Sequence, residues 1–281
     1  MKTTCEDIMQ DLTQPHDHSS INQFNYTKTG IPGLDELLDG KGIPEGSSVS
    51  IIGAPGAGKT TLAMQFLANG INMFGEAGIY VSLDEDLISL RRAMNVIGID
   101  LESLIGNGLS LVDATHLRTL PKEVKVANQL LTKGEFTLLS LTESIRARVE
   151  ETKAKRIVID PLAMFTIIFP DETERRVAVA DLIHELSKFG ATALLLTELQ
   201  SDGLRRSYQI EDYLSQGVIL MRKILKGDNV FYLMRIEKMR AIEHEIRPRL
   251  YRVEMGGIKV LPEKSLRGVL KEGTVDISES L

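Results

Sequence analysis

The sequence predicts an α/β fold with a mostly parallel central sheet, helices on both faces and antiparallel strands at its C-terminal edge. Short apolar runs alternate with stripes of apolar residues at helical spacing, the pattern of a parallel sheet covered by helices. A glycine-rich loop joins the first strong strand to the first such helix. After residue 215 the pattern becomes strand, turn and strand. We therefore predict one α/β domain over residues 23–262, with a tail at 1–22 and an extension at 263–281.

The predicted elements follow one another along the chain. Apolar runs predict parallel strands at residues 49–52, 79–83, 109–112, 156–160 and 191–198. Helical stripes follow or separate them, formed by Leu62, Phe66 and Met73, by Leu138, Leu141, Ile145 and Val149, and by Val179, Leu182, Ile183, Leu186 and Phe189.

The last part of the domain alternates with period two. This pattern on both sides of residues 226–229 predicts a hairpin, and a second turn at 256–257 precedes another apolar run. Residues 114–134 have no strong period. We expect a surface insertion there, with a short helix over residues 124–131.

Composition limits the classes of protein and of site. The net charge of −6 and the pI near 5.5 argue against a surface built throughout for nucleic acid, although a local basic patch remains compatible with them. Cys5 is the only cysteine, which suits a reducing compartment. With no apolar run of membrane-spanning length and no signal-peptide core, we expect a cytoplasmic protein without a membrane partner. His16 and His18 lie with Cys5 in a polar tail, so we expect no zinc site.

The glycine-rich loop reads GAPGAGKTT. Its spacing fits G-x-x-x-x-G-K-[ST], in which backbone N–H groups surround phosphates and the lysine reaches the outer ones. A strand precedes the loop and a helix follows it, so free N–H groups and the helix dipole would face an anion. The predicted nucleotide-binding residues are Gly53, Ala54, Pro55, Gly56, Ala57, Gly58, Lys59, Thr60 and Thr61.

Phosphoryl transfer from a bound nucleoside triphosphate also needs a metal holder. Thr60 supplies a hydroxyl for Mg²⁺. Asp160 ends the apolar strand RIVID, where a carboxylate can meet the metal shell opposite Thr60. We predict these two residues as the metal site.

A base for the attacking water is the next requirement. Asp84, Glu85 and Asp86 follow the strand IYVSL, at the edge of the sheet where the loop lies. One of these carboxylates, with Glu85 the first candidate, can orient the water. The same residues suit a helix N-terminus, so a cap for the run LISLRRAM is the alternative interpretation.

Several motifs occur in a fixed order: TGIPGLDELLDGKGIPEGS, GAPGAGKTT, LDED, RIVIDPL, LLLTE and EKMR. Together, over residues 26–262, they resemble the KaiC-like branch of the RecA-type ATPases, in particular the single-domain members common in archaea. The resemblance implies a RecA-like P-loop NTPase fold, ATP and Mg²⁺ as cofactors, and ATP hydrolysis. It also implies that Asp84 and Glu85 serve the ATPase. Asp84 stands where the family usually has glutamate, which favours Glu85.

The same resemblance implies a homo-oligomeric ring, usually a hexamer, with nucleotide between subunits and a basic pair reaching in from the neighbour. Lys238 and Arg240 in EKMR match that pair. Residues 222–252 hold nine basic side chains against four acidic ones. Such a segment can serve a neighbour's phosphates or nucleic acid, or it can be a solvated strand face.

Two departures from related proteins restrict the function. Glu211 and Asp212 stand where the clock kinase of this family carries its Ser-Thr phosphoacceptors, so we expect no clock-type autokinase cycle. The loops TIIFPDETERR and LQSDGLRRSYQIED are rich in acid and have no glycine-rich DNA-ordering stretch, although the second carries Arg205 and Arg206, and this composition disfavours DNA pairing.

Three functional hypotheses follow. The first is an ATP-hydrolysing ring with a regulatory or signalling role and a protein partner of unknown identity. The second is a recombinase-related, ATP-dependent DNA-binding protein. The third is a nucleotide-gated scaffold with negligible turnover.

Overall fold

The computed structural model describes residues 25–127, 129–202, 205–226 and 229–265. The predicted tail, with its cysteine and two histidines, and nearly all of the predicted C-terminal extension lie outside these ranges. Within the described residues, no helix combines the length and apolar character needed to cross a membrane.

The strands are β1 (Tyr26–Thr27), β2 (Ile43–Pro44), β3 (Ser48–Gly53), β4 (Gly78–Ser82), β5 (Leu109–Asp113), β6 (Glu123–Val126), β7 (Gln129–Thr132), β8 (Arg156–Asp160), β9 (Thr192–Glu198), β10 (Ser201–Asp202), β11 (Arg205–Arg206), β12 (Gly217–Lys226), β13 (Asn229–Met239), β14 (Arg249–Glu254) and β15 (Gly257–Ser265). The α-helices are α1 (Leu34–Leu37), α2 (Lys59–Phe74), α3 (Leu87–Val96), α4 (Leu101–Gly106), α5 (Lys133–Thr152), α6 (Phe165–Ile168), α7 (Glu172–Lys188) and α8 (Ile210–Leu214). Short 3-10 helices lie at Thr115–Thr119 and Leu162–Met164.

The main sheet has nine strands in the order β15-β14-β13-β12-β3-β9-β8-β4-β5. Neighbours from β12 through β5 pair in parallel, whereas β13, β14 and β15 pair antiparallel at one edge. The predicted fold class is therefore confirmed, and so are the apolar runs predicted as parallel strands. β14 was not predicted as a separate strand. Its sequence, RLYRVE, is interrupted by charge.

Both faces of the sheet are covered, because side chains of a buried strand alternate between two cores. In β9, Leu194 and Leu196 join the core that includes α1 to α4. Ala193 and Leu195 point to the opposite face and pack in the core with α5, α6 and α7. This alternation explains why the middle of the strand, residues 193–196, is continuously apolar.

The helix after the glycine-rich loop is confirmed as α2, although its predicted apolar stripe is only partly correct. Leu62 and Phe66 are buried, but Met73 in the last turn is 61% exposed.

The predicted short helix over residues 124–131 is wrong, because β6 and β7 form an antiparallel hairpin there. Val124 and Val126 are β-branched and alternate with charged residues, a pattern that favours an extended strand over a helix. Ala127 has a φ of 51°, which reverses the chain between the two strands.

Candidate nucleotide and metal site

The phosphate loop runs from Gly53, the last residue of β3, to Lys59, the first residue of α2. Gly56 and Gly58 have φ angles of 75° and 87°, in the left-handed region that glycine adopts at no steric cost. At Gly53 the constraint is space, since a Cβ atom would lie 2.8 Å from the carbonyl oxygen of Met221. Among the described residues, no side chain caps the N-terminus of α2, so the first N–H groups of the helix are available to bind an anion.

Lys59 folds back over this loop. Its Nζ donates hydrogen bonds to the carbonyl oxygens of Gly53 at 2.7 Å and Ala54 at 3.5 Å. Burial lowers the pKa of the ammonium group, whereas the nearby carboxylates of Asp160 and Glu198 act to raise it. The lysine is thus a cation held at the loop, the position from which such a residue reaches phosphate oxygens.

Thr60 and Asp160, the predicted metal holders, are in direct contact. Thr60 Oγ1 donates to Asp160 Oδ2 at 2.7 Å. Burial raises the pKa of Asp160, while hydrogen bonds from Thr60 and Tyr80 and the charge of Lys59 oppose that rise. A hydroxyl and a carboxylate are hard oxygen ligands of the kind that Mg²⁺ takes beside nucleotide phosphates. The residues present fit a nucleotide-bound Mg²⁺.

The acidic segment after β4 contains the predicted helix cap. Asp86 is the N-cap of α3, and its Oδ1 accepts hydrogen bonds from the N–H groups of Ile88 at 3.0 Å and Ser89 at 2.9 Å. These bonds also lower the pKa of Asp86. The capping interpretation therefore holds for the third acid.

Glu85 lies just before that cap and is exposed. Partial desolvation of its carboxyl group is the largest cause that raises its pKa, followed by the negative charges of Asp160, Asp86 and Asp84. The N–H of Leu83 donates to the carbonyl oxygen of Asp160 at 2.8 Å, which ties this segment to the end of β8. Glu85 thus lies beside the carboxylate of the metal pair, with a raised proton affinity that suits a base.

The antiparallel edge of the sheet supports the loop from the other side. The hydroxyl of Tyr251 in β14 donates to the carbonyl oxygen of Ala57 at 2.5 Å. Gln65 in α2 exchanges two hydrogen bonds with the backbone of Ile258 in β15, at 3.1 and 2.7 Å. The close fit requires glycine at 257, where a Cβ atom would lie 2.4 Å from the Gln65 amide oxygen. Sequence patterns contained no sign of these contacts.

Lys238 and Arg240 lie at the opposite end of the sheet from this loop. Strand register pairs Gly53 with Met221, and Met221 with Met234. Because of a bulge in this hairpin, Lys238 pairs with Val218, three residues before Met221, so it lies about 10 Å along the strands from the level of Gly53. Arg240 is farther still. The predicted basic pair is therefore not part of the chain's own phosphate loop.

At that end, Lys238 has local partners. Its Nζ donates to the carbonyl oxygens of Asp212 at 2.9 Å and Tyr213 at 3.3 Å, close to the C-terminus of α8. Burial lowers the pKa of Lys238, and the charge of Arg240 lowers it further. Arg240 is exposed, and its backbone N–H donates to the Gln216 carbonyl oxygen at 3.0 Å.

Glu211 and Asp212 are buried in α8 with 8% and 6% exposure. Asp212 Oδ2 accepts from the N–H of Gln209 at 2.7 Å, which caps this short helix.

A parallel sheet with a phosphate loop between β3 and α2, and a carboxylate from β8 on the Thr60 hydroxyl, defines the class: this is a RecA-type P-loop ATPase fold. The model of one family, "ATPase: KaiC", matches residues 27–265. The chain belongs to the KaiC ATPase family.

Individual relatives agree with this assignment. A crystal structure of a KaiC-like protein from the archaeon Pyrococcus horikoshii is 30% identical, with a TM-score of 0.71, covering 85% of this chain and all of that one. Circadian clock oscillator proteins KaiC from Parathermosynechococcus lividus and Synechococcus elongatus are 30% and 27% identical over 99% and 96% of this chain. The chain spans about half the length of these curated relatives, 50% and 51%.

Sequence analysis did not single out Tyr80, whose hydroxyl donates to Asp160 Oδ2 at 2.7 Å. Within the run IYVSL, the tyrosine fits the pattern of a strand and shows no separate sign of a functional role. Only the pairing of β4 with β8 brings its hydroxyl to the metal pair.

Proposed function

We propose that this protein is a Mg²⁺-dependent ATPase that assembles into a homo-oligomeric ring, a hexamer by resemblance, with nucleotide bound between subunits. We further propose that the ring is regulatory, and that its nucleotide state changes subunit contacts and the binding of a partner protein. Support for such a role comes from the clock oscillator name of its relatives.

The observation that carries the ATPase proposal is the hydrogen bond between Thr60 and Asp160 at the mouth of the phosphate loop. Uncapped N–H groups of α2 and Lys59 would hold the phosphates of ATP, and Thr60 with Asp160 would hold Mg²⁺. The bound ion would neutralise charge that develops on the phosphate oxygens.

In the proposed reaction, Glu85 orients a water and accepts its proton. The water oxygen forms a bond to the γ-phosphorus, and the bond from that phosphorus to the β–γ bridging oxygen breaks. ADP and phosphate leave, and Glu85 releases the proton. The negative charge of Asp84, next to Glu85, would assist by raising the proton affinity of the Glu85 carboxylate.

The ring proposal rests on the distance between the two predicted halves of the site. Lys238 and Arg240 lie far along the sheet from their own phosphate loop, so they can act on a nucleotide only when it is bound by another subunit. In that arrangement they would contribute positive charge near the γ-phosphate in trans, as arginine fingers do.

The decisive first test compares Lys59→Ala with the wild-type protein. Loss of the lysine should abolish tight ATP binding, because it removes the charge that faces the outer phosphates while the fold stays intact. ATP affinity, phosphate release and particle mass would be measured with ATP and Mg²⁺ on the same preparation. Unchanged affinity with an unchanged circular dichroism spectrum would exclude the phosphate-loop site. Wild-type mass equal to one chain would exclude the ring.

Incubation with γ-labelled ATP tests the expectation on autokinase activity. Little stable label should remain on the chain, because Glu211 and Asp212 offer carboxylates in place of hydroxyl groups, and a carboxylate forms a labile acyl phosphate and not a stable phosphate ester. Stoichiometric label on any serine or threonine would contradict it.

A further inference from the structure

Two hydroxyl groups donate to the same carboxylate oxygen of Asp160. Thr60 Oγ1 and the Tyr80 hydroxyl each lie 2.7 Å from Oδ2. The Oδ1 oxygen carries neither of these bonds. Two donors therefore hold the carboxylate through one of its oxygens, which restricts the orientation of the whole group.

The two donors differ in how firmly they are placed. Thr60 lies in the first turn of α2 and is only half-buried, and its hydroxyl has a second use as a metal ligand. Tyr80 lies in β4, which is paired on both sides by β8 and β5, and it is 1% exposed. Its ring packs in the core that includes α2, and it titrates only well above its ordinary pKa, because burial and the Asp160 carboxylate both favour the neutral hydroxyl.

Strand register explains how this tyrosine reaches the site. β4 pairs in parallel with β8, so that Tyr80 is opposite Val158 and Ser82 is opposite Asp160. Tyr80 and Asp160 point to the same face, and the tyrosine begins two residues, or about 6.6 Å, below the carboxylate. Its ring spans this distance within the core, and its hydroxyl reaches the Asp160 carboxylate.

We propose that Tyr80 is a positioning residue for the metal: its hydroxyl holds Asp160 by Oδ2 and presents Oδ1 to the Mg²⁺ that accompanies ATP. This inference rests on the proposed function, because it concerns the same metal pair. Thr60 can bind the metal through its oxygen while its hydrogen stays on Asp160, so Tyr80 is the donor on Asp160 that has no role of its own as a metal ligand. Hydrogen-bond partners of ligating carboxylates commonly matter by about 10- to 100-fold in metal affinity.

Tyr80→Phe tests this role, because it removes one oxygen and keeps the buried ring. Mn²⁺, a paramagnetic probe of Mg²⁺ sites, would be titrated into protein saturated with a non-hydrolysable ATP analogue, and free Mn²⁺ measured by electron paramagnetic resonance. We expect Mn²⁺ binding about 10-fold weaker in the variant. Affinity for the analogue without metal should stay at the wild-type value. Hydrolysis should approach the wild-type rate at saturating Mg²⁺, since the variant weakens metal binding and leaves Glu85 in place.

Tyr232→Phe is the matched control. It makes the same chemical change in the antiparallel part of the sheet, where the Tyr232 ring lies against that of Tyr251 in a tilted contact, with the ring centroids 5.4 Å apart. Mn²⁺ affinity should not change in this control.

The outcomes separate the two proposals. Equal Mn²⁺ affinity of Tyr80→Phe and wild type would overturn the role of Tyr80 and leave the ATPase proposal standing. If Tyr80→Phe lost affinity for the metal-free analogue as much as for Mn²⁺, or no longer melted cooperatively, the hydroxyl would act on the fold. Either result would also overturn the proposed role of Tyr80. Wild-type protein that binds no Mn²⁺ with the analogue would overturn both.

Discussion

The two ends of the central sheet differ in how their charged residues are satisfied. At the end where the parallel strands finish, Thr60 donates to Asp160, and Lys59 donates to the loop backbone close enough to Asp160 for the two charges to interact. At the end where they begin, Lys238 is bonded to the backbone of α8 and Arg240 is exposed. The first end is a preorganised set of groups that fits a nucleotide and its metal. The second is a pair of cations that strand register separates from that set by about 10 Å or more.

This difference indicates which part of the site one chain can form alone. Carboxyl ends of parallel strands meet at one edge, so the loop, the metal pair and the acids come together when the chain folds. β13 runs antiparallel to these strands, so its last residues lie toward the end of the sheet where the parallel strands begin. Those residues can belong to a nucleotide site only if a neighbouring subunit binds the nucleotide.

The largest expected effect comes from the basic end. Lys238→Ala/Arg240→Ala should bind ATP nearly normally, yet hydrolyse it about 10³-fold more slowly or worse, because the positive charge at the γ-phosphate is lost. Phosphate release and ATP affinity would be measured on the homogeneous ring. The matched control is Lys223→Ala/Arg235→Ala, which removes two exposed charges from the same hairpin and should leave hydrolysis near the wild-type rate.

Mixing shows whether the pair acts between subunits. The double variant would be combined with Lys59→Ala, which has intact basic residues but no nucleotide of its own. Interfaces that join an intact phosphate loop to an intact pair should restore part of the activity. Because Lys238→Ala also removes hydrogen bonds to α8, Arg240→Ala alone should be tested in the same way. Confirmed mixed rings that stay inactive at every ratio would contradict action in trans.

At the loop end, Glu85→Gln should reduce turnover by about 10²-fold or more and leave ATP binding intact. The amide keeps the size and polarity of the side chain but cannot accept a proton from water. Single-turnover phosphate release with pre-bound ATP measures the step directly. Asp84→Asn is the comparison, and a larger loss there than in Glu85→Gln would reverse our assignment within the acidic pair.

The smallest effect is expected at Asp86. Asp86→Ala should lower the free energy of unfolding by about 1 kcal/mol, because two N–H groups at the start of α3 lose their acceptor. Asp100→Ala is a matched control, since Asp100 caps α4 through the same pair of bonds. Denaturant titration should give similar losses. If Asp86→Ala slows hydrolysis and Asp100→Ala does not, Asp86 has a role in the reaction beyond capping.

Much of the architecture could be predicted because it depends on local pattern. Buried parallel strands such as β8 and β9 are continuous apolar runs, and α2 has its stripe at Leu62 and Phe66. The sequence predicts a helix over residues 124–131 where a hairpin forms, because a short mixed segment carries few period signals and its two β-branched valines are a weak sign of a strand. β14 was missed for a related reason, since its charged residues conceal the alternation.

By itself, the sequence determined the phosphate loop, the strand that ends in Asp160 and the family, because each depends on residue types at fixed spacing along the chain. Only the tertiary structure decided which distant side chains meet. Tyr80 reaches Asp160 through the register of β4 on β8, Tyr251 supports the loop through the antiparallel edge, and Lys238 is carried away from it by the direction of β13. Register and strand direction arise from pairing between segments far apart in the chain, and no local spacing encodes them.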